Sequence, residues 1–171
     1  MPRSTLTGWV GWALVMLLST GALASGQTLT PDAHGFIAAN PEDLQPPAGS
    51  RSIRSVRILG QGSESGIYVQ RVTFAAGSGT QPHFHDQARY ITVIEGTWWV
   101  ALGPDAAIYD PDKMIPMRAG SFLFEPANGI HYDQARDEPV TVQIIGMGPV
   151  KTTGIESDQQ GTSTGLLDPP R

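Results

Sequence analysis

Three of the chain's four histidines fall where chemistry could be built: His83 and His85 in GSGTQPHFHDQARYITVIEG, and His131 in GSFLFEPANGIHYD. Residues two apart on an extended strand share a face, so His83 and His85 point one way and Phe84 the other. Two neutral imidazoles side by side make a chelate for a metal ion. A third from a distant strand completes a facial set with positions open to water or substrate. Open positions separate catalytic metal sites from structural ones. The fourth histidine, His34, lies in a Pro-rich stretch and is expected to be exposed and without a role.

The spacing around these histidines sharpens the expectation. Gly77, five residues, His83-x-His85, later Gly96, and then Gly120, five residues, Pro126 and His131 resemble the two motifs of the cupin superfamily. The family's first motif runs Gly, five residues, His-x-His, three or four residues, Glu, six residues, Gly. Its second runs Gly, five residues, Pro-x-Gly, two residues, His, three residues, Asn. The match covers residues 77–131. The resemblance implies an all-β fold with little helix, a single antiparallel β-barrel or jelly roll. It also implies a divalent transition metal held by His83, His85 and His131 near the middle of the barrel, and a homodimer. Iron stands first among the metals, and Mn, Ni, Cu, Co and Zn also accept His and oxygen ligands.

Three positions depart from the family pattern: Arg89 stands for Glu, Asn128 for Gly and Ala135 for Asn. The usual set of three His and one Glu is therefore not available. Cupins with three His and no Glu resemble non-haem iron dioxygenases of small diketones, thiols or aromatic acids. If the strand runs unbroken, parity puts Arg89 on the face of His83 and His85. A guanidinium there repels a divalent ion unless a carboxylate or bound anion lies between them. Arg89 is thus a candidate clamp for a substrate carboxylate, with an outward pairing to Asp86 as the alternative. Gln87, or Asp133 on the face of His131, could replace the missing ligand. Glu95 and Glu125, beside Gly96 and Pro126, are expected to be turn or rim residues. The catalytic candidates are Arg89, Asp133 and Tyr132, and the substrate-binding candidates are Arg89, Gln87, Trp98 and Tyr90. Trp98 and Trp99 are adjacent and must face opposite sides, one into the barrel and one outward.

The elements that must position these residues are short. From Arg51 onward the chain shows β-favouring runs cut by Gly and Pro: SIRSVRILG, SGIYVQRVTFAAG, ARYITVIEG, TWWVALG, GSFLFEP, GIHYDQA and PVTVQIIGMG. Such closely spaced strands indicate a sandwich or barrel, and no stretch sustains a helical apolar period. The barrel domain is expected over 51–150, after an extended arm at 25–50 and before a polar, mobile tail at 151–171. PDKMIPMRAG is expected to be a Pro-interrupted loop, with Met114 and Met117 filling gaps. At the start, Arg3, an apolar run from Trp9 to Leu18 and Ala22-Leu23-Ala24 form a three-part secretory signal, with cleavage expected after Ala24. The exported form would be periplasmic or secreted, with no stable membrane insertion after cleavage.

Composition narrows the function further. Sixteen acidic residues outnumber 11 basic ones and the formal charge is −5, so no basic stripe is available to follow a phosphate backbone, and nucleic acid is not an expected partner. With no cysteine, thiolate sites, disulfides and cysteine nucleophiles are excluded. The expected function is an exported metal-binding cupin acting as a metal-dependent enzyme, dioxygenase-like or a Lewis-acid isomerase or lyase. Its partner would be a small polar or carboxylate-bearing metabolite. The alternative is a non-catalytic metal or small-ligand binding or sensing module of the cell envelope.

Overall fold

Alternating β-branched and aromatic residues punctuated by Gly and Pro give ten strands in the computed structural model, which describes residues 29–156. They are β1 (Ile53–Leu59), β2 (Gly66–Phe74), β3 (His83–His85), β4 (Arg89–Glu95), β5 (Thr97–Leu102), β6 (Ile115–Arg118), β7 (Phe122–Glu125), β8 (His131–Ala135), β9 (Val140–Gly148) and β10 (Thr152–Gly154). The only helices among the described residues are three short 3₁₀ segments, each opening on a proline: Pro41–Leu44, Pro104–Ala107 and Pro111–Lys113. Proline is suited to that first position because its φ is already set and its missing N–H is not needed.

Two five-stranded antiparallel sheets face each other as a jelly roll. The first has the order β1-β2-β9-β4-β7 and the second β10-β3-β8-β5-β6. The sheets do not close into one continuous barrel. Between them lies a core of Phe74, Ile91, Val93, Trp98, Val100, Val140, Val142 and Ile144. Most links between consecutive strands cross from one sheet to the other. Gly96, between β4 and β5, adopts φ +77 and sits against the Pro139 carbonyl, a backbone shape and a closeness that a side chain would disturb.

Two elements differ from the sequence expectation. Ile115–Arg118 is strand β6 and not a loop, because it pairs with β5 through Val100↔Ile115 and Thr97↔Arg118 at the sheet edge, where Pro116 is tolerated. The domain also extends past Val150: Thr152–Gly154 pairs with His83–His85, and the Ile155 amide donates to the Pro82 carbonyl. Polar composition concealed an edge strand whose backbone bonds supply what its side chains do not. In the N-terminal arm, Leu44 is buried and the Arg54 guanidinium donates to the Pro47 carbonyl. His34 is exposed. The expected signal segment, residues 1–24, and the tail beyond 156 lie outside the described residues.

Candidate metal centre

The two histidines of β3 and the one at the start of β8 meet because β3 and β8 are neighbours in the second sheet, with His83 directly opposite His131. Opposed residues on one face of an antiparallel pair bring their side chains together. Ring centroids lie 4.2 Å apart for His83 and His131, 5.0 Å for His83 and His85, and 5.3 Å for His85 and His131. One nitrogen from each ring falls within 4.8 Å of the others, and all three residues are buried.

Hydrogen bonds fix which nitrogen is free. His83 Nδ1 lies 2.7 Å from the Gln81 carbonyl and His131 Nδ1 2.9 Å from the Gly129 carbonyl. A carbonyl only accepts, so each ring carries its proton on Nδ1 and keeps the Nε2 lone pair. His85 Nδ1 is 3.0 Å from the Thr152 hydroxyl on β10, and its Nε2 is buried with no hydrogen-bond partner. Burial lowers the His83 pKa to about 4, with the neighbouring His131 adding to the effect. Burial and the Arg89 cation take His85 down to about 2, and burial takes His131 to about 4. Three neutral imidazoles, two of them with the Nδ1 proton held by a carbonyl so that Nε2 carries the lone pair, match the donor set that divalent transition metals take.

The first sheet supplies the facing wall. Across its inner face run Tyr68 on β2, Gly146 on β9, Arg89 on β4 and Glu125 on β7, each paired with the next. Gly146 makes room in this row: a Cβ there would lie 2.7 Å from the Tyr68 hydroxyl. Arg89 and Glu125 form a buried ion pair, Nη2 to Oε2 at 2.8 Å. The same Nη2 is 3.4 Å from His131 Nε2. The other carboxylate oxygen, Oε1, lies 3.4 Å from His131 Nε2 and 3.8 Å from His85 Nε2 and accepts no hydrogen bond. Glu125 is therefore not a turn or rim residue: it is 2% exposed and faces the histidines. Its strand, Phe122 to Glu125, turns its phenylalanines outward and its glutamate inward, which inverts the pattern that hydrophobicity suggests.

Arg89 reaches the histidines by a route other than strand parity. β3 and β4 belong to different sheets, so the chain crosses between them at Asp86–Ala88, and Arg89 approaches from the opposite wall. Its partner is Glu125, while Asp86 instead accepts from the Lys151 amide. Asp133, two residues beyond His131 on β8, is buried, with Oδ1 lacking a hydrogen-bond partner. Burial pushes its carboxyl up to about 7, against the opposing pull of Arg89. Burial likewise raises the Tyr68 phenol, again opposed by Arg89.

Other sequence candidates lie elsewhere. Tyr132 alternates with His131 and Asp133 and so faces the other side of β8, where its hydroxyl donates to the Asp110 carbonyl and accepts from the Asp110 amide. It straps down a loop. Gln87 is exposed in the crossing segment. Tyr90 follows Arg89 and faces outward, 48% exposed and against Phe124, because parity turns it away from the histidines. Trp98 points into the core and Trp99 outward beneath the Arg136 guanidinium, 3.7 Å from the ring centroid. Met114 is packed in a small apolar cluster with Ala101, Ala106 and Tyr132. In the second motif, Asn128 stands at φ +62, a conformation asparagine adopts more readily than most residues, and its amide donates to the His85 carbonyl. The Gly-to-Asn departure thus preserves the loop.

No protein-family model matches the chain. No curated protein matches it either. Among solved structures, the polyketide cyclase RemF from Streptomyces resistomycificus aligns with a TM-score of 0.53 and 17% identity, covering 71% of this chain and 87% of that one. A cupin-like protein from Thermotoga maritima aligns at 0.51 and 16% identity over 67% of this chain and 90% of that one. The DMSP lyase DddQ from Ruegeria pomeroyi aligns at 0.51 and 14% identity over 63% of this chain, which spans 54% of the lyase. The fold is cupin-like, as in the Thermotoga protein, and its three buried histidines form a group able to hold a metal ion.

Proposed function

We propose that the protein is a metal-dependent enzyme catalysing proton transfer on a small, carboxylate-bearing metabolite, an isomerase- or lyase-type reaction. The observation that carries this reading is the pairing of a buried three-histidine group with a second set of proton-handling side chains. His83, His85 and His131 would hold the ion through Nε2, and such an ion supplies Lewis-acid polarisation of a bound oxygen. Asp133, with its carboxyl near 7 on the face of His131, gives and takes a proton close to neutral pH. Arg89 keeps one buried donor, Nε, without a partner, and this N–H is available to orient a substrate carboxylate. Tyr68 retains its phenol proton and offers a hydrogen bond beside Arg89. That the similar folds include a cyclase and lyases supports the same class.

The test is incubation of metal-loaded protein with a panel of small hydroxy, keto and unsaturated acids in D₂O, read by NMR. Carbon-bound deuterium or a rearranged or eliminated product, lost in Asp133→Asn, is the expected result. Oxygen consumption by iron-loaded protein without exchange would favour a dioxygenase. Bound metal with neither outcome would leave the non-catalytic binding module.

Two further parts of this reading have their own tests. The leader expected at residues 1–24 supports export to the periplasm or beyond, checked by N-terminal sequencing of the protein from its native host. No helix among the described residues is long and apolar enough to cross a membrane. Leu59, Val69, Ile145, Tyr90 and Phe124 pair in sequence across the outer face of the first sheet, forming an apolar row of five strands. Four of the five are more than a third exposed, which supports homodimer formation through this face. Sedimentation of wild type and of an Ile145→Glu variant would separate dimer from monomer.

A further inference from the structure

The lone pairs around the histidines do not balance by themselves. His131 Nε2 and Glu125 Oε1 face each other at 3.4 Å, and His85 Nε2 lies 3.8 Å from the same oxygen. The His131 proton is committed to Nδ1 by the Gly129 carbonyl, so no proton is available to lie between Nε2 and Oε1 while the ring is neutral. Two buried acceptors aimed at one point repel unless a cation joins them. Arg89 reaches only the edge of this arrangement. It binds the far oxygen, Oε2, at 2.8 Å and approaches His131 Nε2 at 3.4 Å, leaving Oε1 unpartnered.

We infer that Glu125 is the fourth protein ligand of the metal centre, donating Oε1, while Arg89 holds Oε2 and fixes the carboxylate's orientation. The inference rests on the metal reading of the histidines. It places the carboxylate that residue 89 does not provide on the neighbouring strand, directly opposite that residue. The site then recovers an oxygen donor by exchanging positions between β4 and β7, with the arginine as positioning residue. The charge balance differs as a result. Glu125 and Arg89 cancel, so a divalent ion bound by three neutral imidazoles and this pair retains a net charge of +2, which favours an anionic fifth ligand.

The test is Co(II) titration of metal-free protein, with affinity from chelator competition and coordination from the visible absorption spectrum. It compares wild type, His83→Ala, Glu125→Gln, Arg89→Met, and the Arg89→Met/Glu125→Gln double variant. The double variant removes both charges together, so it keeps the question answerable if Glu125→Gln alone fails to fold. Loss of a direct ligand should weaken binding beyond the 10- to 100-fold typical of supporting residues, hence by about 100-fold or more in Glu125→Gln against wild type and in the double variant against Arg89→Met, with an altered spectrum. Arg89→Met alone should tighten binding, since it removes a cation beside the ion and frees the whole carboxylate. A double variant with affinity within about threefold of Arg89→Met and the same spectrum would overturn the inference, since a ligand cannot be removed at so small a cost. In that case His83→Ala still abolishing binding would leave the three-histidine reading standing. Wild type binding no Co(II) would overturn both.

Discussion

Two ends of one interior differ in kind although the same strands build them. On the inner face of the first sheet, the row Tyr68, Gly146, Arg89 and Glu125 faces the histidines. Two residues further along, Gln70, Ile144, Ile91 and Leu123 occupy the equivalent places, followed by the wholly apolar rows Val72, Val142 and Val93, and then Phe74 and Val140. The backbone pairing is common to all these rows, so the contrast lies entirely in the side chains. The apolar rows hold the sheets together by area removed from water, an additive and forgiving contribution. The polar row is held by mutual pairing, in which neither Arg89 nor Glu125 tolerates the loss of the other.

That contrast makes its largest prediction for single breaks in the polar row. Arg89→Met in the metal-free protein strands the Glu125 carboxylate in the interior and should cost about 3–5 kcal/mol in urea unfolding, whereas Arg89→Met/Glu125→Leu should recover most of the loss. A double variant as unstable as the single one would mean that the row is held by something other than charge pairing. In the neighbouring row, Ile91→Val removes one methylene and should cost about 0.5–1.5 kcal/mol, with metal affinity unchanged. An affinity change there would show that the two ends are coupled through packing.

Acid should act on the polar end alone. His83, His85 and His131 have folded pKa values of about 4, 2 and 4, below the ordinary 6.5. Below pH 6.5 the unfolded chain takes up protons that the folded one refuses, so metal-free stability should fall as pH drops from 6.5 toward 4. Replacing His83 with Ala should flatten that slope, as followed by denaturant midpoints across the range. Asp133 has the opposite sign: its carboxyl is raised from 3.8 to about 7. Its ionised form is disfavoured in the folded state, so it weakens the fold increasingly from pH 4 to 7 and constantly above. Asp133→Asn should therefore raise the melting temperature at pH 8 and change it little at pH 4.

How much of this was legible in the sequence follows the same division. Seven strands were visible as alternating runs, and the three histidines as two motifs, because period and spacing are properties of the chain alone. β10 was not, since Thr152–Gly154 is polar and owes its place to backbone bonds with β3. Glu125 reads as a rim residue in the sequence because Pro126 follows it, and FLFE gives no counter-signal, its Phe122 and Phe124 turning outward more than 45% exposed. One signal did point to it: a lone arginine beginning the apolar strand RYITVIE requires a carboxylate partner if it is buried. Which carboxylate depends on the register of β4 against β7, and register is fixed only when the sheet forms. Gly146 was silent for the same reason, its role being the space it leaves for Tyr68.

The metal centre itself is tested most directly by metal content. The protein would be purified without added metal, reconstituted with Fe(II), Mn(II) or Zn(II), desalted and analysed beside His83→Ala, His85→Ala and His131→Ala. The account predicts about one ion per chain in the wild type, lost in each variant, as expected for a site built on three imidazoles. Less than about a tenth of an equivalent in the reconstituted wild type, where a three-histidine site should fill, would contradict it.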